Sequence, residues 1–87
     1  MKRDIRILGH RVRILPLAEQ GEDRITGFCD TAQETIYISR TLSAGAREEV
    51  LLHEVVHYIS DTLGKELTED QVKGISAGLY SAGVRIR

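Results

Sequence analysis

TIYISRTLSAGAREEVLLHEVVHYISDTLG, Thr35 to Gly64, changes its hydrophobic period partway along. Ile36 and Ile38 flank Tyr37, so Thr35–Ser39 reads as a strand with the isoleucines on one side and the tyrosine on the other. Beyond Ser43 the apolar residues Leu52, Val55, Val56, Ile59 and Leu63 recur at three- and four-residue steps, which is the stripe of an amphipathic helix. Ser43 suits the N-cap, Glu48 and Glu49 fall in early turns where the dipole favours anions, and Gly64 suits the position after the last helical residue. A strand that runs into a long helix with one apolar face predicts a helix laid on a sheet.

Upstream, GFCDTAQE completes a hairpin: a short strand near Ile25–Cys29, a turn at Asp30–Glu34, then Thr35–Ser39. Further back, DIRIL and RVRIL each alternate at period two, with Ile5, Ile7, Val12, Ile14 and Leu17 interleaved with Asp4, Arg6, Arg11 and Arg13. Gly9-His10 between them fits a tight turn or a kink in one longer strand. EQGEDRITG, ending at Gly27, is polar and reads as connection. Together the strands predict a small antiparallel sheet with one face to be covered.

Downstream, LTEDQ opens a second helix, with Thr68 as N-cap and Gln71 completing a capping box. Val72, Ile75, Leu79 and Ala82 mark its expected buried stripe, and Gly74 and Gly78 would permit close packing on a neighbour. The fold class is α+β: one domain over residues 1–87, a small antiparallel sheet packed against two α-helices.

Composition narrows the function. The chain has 87 residues, 12 basic against 13 acidic, and a formal charge of -1. That balance gives no bulk electrostatic case for nucleic acid or an anionic membrane as partner. No apolar run approaches the roughly 18 residues of a membrane span. The start, MKRDIRILGHRVRILPL, carries charges throughout and lacks the apolar block of a signal peptide, so the expected location is cytoplasmic. The single Cys29 excludes an internal disulfide and agrees with a reducing compartment. A small domain without disulfides often needs another staple, and a metal ion is one option.

The chemistry sits in HEVVH, His53 to His57. Residues four apart on a helix lie about 40° apart in azimuth and about 6 Å apart in rise, so two imidazoles can face one ion. Glu54, rotated by about 100° from His53, can reach a water at that ion without ligating it. Two ligands and a general base on one helical stretch form the zincin arrangement. The plainer reading is two histidines and a glutamate satisfied as ordinary polar residues. Against it stand the apolar flanks, VLLHEVVHYI, which put both histidines at the edge of a buried stripe.

A catalytic zinc takes three protein ligands and keeps one position open. The metzincin spacing is excluded, because its third histidine would fall at Leu63 and its glycine at Ser60. Asp61 lies one turn past His57, too far along the axis to share the ion easily, and Glu66 falls in the interhelix loop. Glu69 precedes Val72 by three and Ser76 by seven, near the inward stripe of the second helix. A helix folded back on the first would aim it at the histidines, so Glu69 is the expected third ligand. The alternative is an ordinary first-turn carboxylate.

GFCDTAQETIYIS followed by LLHEVVHYI resembles the ImmA/IrrE-type metallopeptidases, small zincin proteins of bacteria, phages and mobile elements. Their Gly-x-x-Asp turn, Ile-Tyr-Ile strand and His-Glu-x-x-His helix are matched at Gly27–Asp30, Ile36–Ile38 and His53–His57. LTEDQVKGISAGLY is similar to short phage- and prophage-type members, and the likeness runs from Gly27 to Tyr80. It implies a minimal gluzincin-like fold, zinc on His53 and His57, Glu54 as base and Glu69 as third ligand. The chain departs from those relatives in having Val56 where a glycine usually precedes the second histidine. Their third glutamate also generally lies further downstream.

The expected function is therefore zinc-dependent cleavage of a peptide or protein substrate, with an edge strand, for which Thr35–Ser39 is the candidate, holding it by strand addition. His10, Tyr37, Tyr58 and Tyr80 are candidate oxyanion donors by type alone. Two other readings stay open. The first is an inactive zinc-stabilised domain, which would need a fourth ligand such as His10 or Cys29. The second is a metal-free interaction module of a phage or mobile element, working with a partner protein or as a homodimer.

Overall fold

The computed structural model describes residues 3–17 and 25–86. Its order is β1 (Arg3–Ile7), β2 (His10–Leu17), β3 (Gly27–Asp30), β4 (Thr35–Ser39), α1 (Ala44–Leu63) and α2 (Glu69–Ser81). Most of the connection expected at Glu19–Gly27 lies outside the described residues. The ambiguity at Gly9-His10 resolves as a hairpin. Ile7 pairs with His10 across the two-residue loop Leu8–Gly9, and both loop residues have positive φ, 50° and 83°, as a type I′ turn demands.

The four strands form one sheet in the order β1-β2-β4-β3. The all-antiparallel expectation needs correction. The β1–β2 and β3–β4 pairs are antiparallel, but β2 and β4 run parallel, with Ile14 beside Ile36 and Leu15 beside Tyr37. Burial explains the order. Thr35, Ile36 and Ile38 of β4 are all buried and need a neighbour on both sides. β3 is short, begins with glycine and ends with aspartate, a composition suited to an edge. Thr35–Ser39 is thus an interior strand, and β3 is the edge beside the helices.

Ile5, Ile7, Val12, Ile14, Ile36 and Ile38 turn to one face and meet Leu51 and Tyr58 of α1. Val50, Val55 and Ile59 pack against that cluster. Leu52 and Val56 are buried apart from it, where α2 lies against α1. The helix is therefore covered on two sides, and the single stripe read from its periodicity is too narrow. Leu63, expected in that stripe, is 55% exposed at the last turn.

Ser43 accepts from the Ala46 N–H as N-cap, and Gly64 closes the helix in the left-handed region. Glu48 and Glu49 sit beyond the first turn, which contains no acid, so the dipole acts little on them. In α2 the Thr68–Gln71 capping box is complete. Its buried residues are Val72 and Ser76, whereas Ile75, Leu79 and Ala82 face outward. The reason is that α2 packs chiefly on α1 and so buries one narrow line. A side chain at Gly74 or Gly78 would meet nothing within 4 Å, so these glycines do not serve close packing within the fold.

Gly27 does. A methyl group there would stand 2.7 Å from Val50 Cγ1 and 3.1 Å from Glu54 Cγ and Oε2. Carbon contacts settle at about 3.5–4.0 Å, so β3 and α1 would have to separate. Gly27→Ala is expected to cost about 1–3 kcal/mol, as overpacking does, and to lower Tm by roughly 4 °C or more. Thermal unfolding of Gly27→Ala, Val50→Ala and the double variant checks this. The pair should cost less than the sum of its parts, and full stability of Gly27→Ala would refute the contact.

Candidate metal centre

α1 carries His53, Glu54 and His57 past the point where β3 comes closest, and α2 begins opposite them. The turn between the helices brings Glu69, the first residue of α2, over the two imidazoles. His53 Nε2 lies 2.9 Å from Glu69 Oε2, and His57 Nε2 lies 3.1 Å from Glu69 Oε1. The rings are 4.8 Å apart between centroids and inclined at 66°. One ligand atom from each of the three residues lies within 4.8 Å of the others.

These positions suit a zinc ion. Bonds of about 2.0–2.1 Å in a tetrahedron place donors about 3.3 Å apart, so a slight retreat of the carboxylate would admit the ion. Two imidazoles and one carboxylate are also a donor set that zinc accepts while keeping a fourth position. Both histidines are partly open to solvent, and the site faces a cleft of about 840 Å³ between β3, α1 and α2.

Glu54 also lines this cleft but is 7% exposed, and its Cγ and Oε2 lie 3.1 Å from where a side chain at Gly27 would begin. Burial pushes its carboxyl above the usual carboxylate range. His57 nearby draws it back down and the Glu69 charge raises it further. The result is a carboxylate that binds a proton more readily than an exposed one, next to a metal-type cluster. That is the character of a general base.

The other sequence candidates fall elsewhere. Among the described residues, His53, His57 and Glu69 are the one group of three with metal-ligand geometry. His10 is exposed, with Nδ1 2.9 Å from Glu34 Oε2. Cys29 borders the cleft, but burial first, then the carboxylates of Glu54, Asp61 and Asp30, push its thiol up to about 12. A thiol so raised is a poor source of thiolate. Neither residue joins the cluster, so a closed four-ligand site finds no support. Asp61 lines the cleft one turn beyond His57, and Glu66 is exposed in the connection.

None of the four oxyanion candidates lines the cleft. Tyr58 is buried in the core, Tyr37 stacks on Phe28 and the Tyr80 hydroxyl reaches Gly45 O at 3.4 Å. The closeness of Gly27 to Glu54 lies outside what strand and helix periodicity convey. A glycine opening a strand beside a predicted helix was the signal for such an approach.

A family model described as Peptidase_M78, IrrE N-terminal-like domain, matches residues 5–79 and spans both the sheet and the helices that carry this cluster. No curated protein and no solved structure matches the chain.

Proposed function

As the chain belongs to the IrrE N-terminal-like peptidase family, we propose that it is a zinc-dependent metallopeptidase working from this cleft. The observation that carries the reading is the convergence of His53, His57 and Glu69 within 4.8 Å beside the buried carboxylate of Glu54. In this reading the two Nε2 atoms and the Glu69 carboxylate hold the ion. A bound zinc supplies the Lewis acidity that polarises a carbonyl and acidifies water.

The chain's own residues do the rest. Glu54 takes the proton of the attacking water and gives it to the amine nitrogen as the peptide C–N bond breaks. Its burial keeps that proton from bulk solvent between the two transfers. β3, at the sheet edge and along the cleft, offers main-chain groups to an extended peptide and replaces Thr35–Ser39 in that role. Ile25 and Phe28 stand exposed along the same wall, which favours apolar side chains in the substrate.

Incubation of zinc-loaded protein with a mixed peptide pool, followed by mass spectrometry, tests the proposal. Cleavage is expected to stop on chelation and to return with zinc. Products that form equally with chelator present would sink it.

A further inference from the structure

Ser60 stands one turn beyond His57 on α1 and is 6% exposed. The chemistry above makes no use of it. Its hydroxyl donates to Lys65 O and accepts from the Leu67 N–H at 3.4 Å, and its carbonyl accepts from the Lys65 N–H at 3.0 Å. Both main-chain polar groups of Lys65 and the N–H of Leu67 therefore end on one serine. A hydroxyl has the one donor and the acceptor capacity this requires.

These bonds govern the segment between the helices. Gly64 ends α1, and α2 begins at Glu69 behind its Thr68 cap. Leu67, whose N–H Ser60 holds, is two residues before Glu69. The Glu69 side chain is 55% exposed, so packing does little to place it. Where its carboxylate falls is set by where the backbone begins the helix. Consecutive Cα atoms are about 3.8 Å apart, so one residue of slack in the connection exceeds the 2.9 and 3.1 Å that join Glu69 to the imidazoles.

We infer that Ser60 is a positioning residue: its hydroxyl fixes the course of Lys65–Leu67 and so holds Glu69 above His53 and His57. The inference rests on the reading of those three residues as ligands of one ion. It assigns the geometry of the third ligand to a side chain that touches neither the ion nor the ligand.

Zinc affinity of the parent, Ser60→Ala, Glu69→Ala and the double variant, by competition with a chromophoric chelator, separates the possibilities. Groups that orient a metal ligand are worth about 10–100-fold in affinity, and Ser60→Ala should weaken zinc by that factor. In the Glu69→Ala background the same change should have no further effect, because the residue it acts through is gone. Ser60→Thr, which keeps the hydroxyl, should restore binding. Equal loss in both backgrounds, or none in either while Glu69→Ala weakens zinc, would overturn the inference alone. Zinc affinity indifferent to Glu69→Ala would overturn the ligand reading and this inference with it. Should Ser60→Ala not fold, Ser60→Cys, with its weak hydrogen bonding, carries the same cycle.

Discussion

Glu54→Gln protein is expected to keep its zinc and to lose at least about 100-fold in peptide turnover, the lower range for removing a general acid–base group. Glutamine preserves the shape that fits beneath Gly27, where Cγ and Oε2 leave no room for a Cβ. It cannot accept the water's proton. Zinc content by metal analysis and kcat on any peptide the parent cleaves are the two measurements. Turnover within a few-fold of the parent would remove Glu54 from the mechanism. Loss of zinc together with turnover would mean that Glu54 supports the metal instead.

The same variant has an opposite effect on stability when no metal is bound. Folding raises the Glu54 carboxyl above its unfolded value. Its stabilising contribution is therefore full below the unfolded pKa and is lost as pH rises through the folded one. Glutamine carries no charge to bury. The Tm advantage of Glu54→Gln over the parent in the metal-free protein should therefore be absent in acid. It should grow as pH rises from the usual carboxylate range through the raised folded pKa, and level off above it. A residue lost for catalysis and gained for stability is the mark of a strained functional group.

The second large effect concerns the ion itself. His53→Ala, His57→Ala and Glu69→Ala should each weaken zinc by more than about 100-fold, since even the outer partners of metal ligands are worth about 10–100-fold. In the metal-free protein Glu69→Ala should stay close to the parent in Tm, because that side chain is 55% exposed. His53→Ala and His57→Ala, at 20% and 29% exposed, should each lose some stability with the packing they remove. Isothermal titration and thermal unfolding on the same samples read both. A parent that binds no stoichiometric zinc would favour the metal-free interaction module. A parent that unfolds outright when its zinc is removed would point to a structural ion.

Much of this fold is written in local pattern. The alternation in DIRIL and RVRIL marks β1 and β2, and Ser43, Gly64 and the Thr68–Gln71 box bracket the helices as found, because each depends on side chains within a few residues of the backbone they satisfy. The likeness of Gly27–Asp30, Ile36–Ile38 and His53–His57 to one peptidase family also agrees with the family match over residues 5–79. Pattern failed where an element has more neighbours than expected, or fewer. α1 is covered on two sides, so Leu51 and Tyr58 are buried beyond the predicted stripe. α2 packs chiefly on α1, so Ile75 and Leu79 are left outside.

Periodicity and capping are consequences of covalent order, and that order alone dictated four strands, two helices and the pairing of His53 with His57 on one helical face. It could not place β4 between β2 and β3, nor set β2 and β4 parallel, because strand order is settled by which residues need burial on both sides. Nor could it seat Glu54 beneath Gly27 or suspend Glu69 from a connection held by Ser60. Those contacts join residues far apart along the chain or across a turn. Their geometry exists only once sheet and helices have closed on a common core.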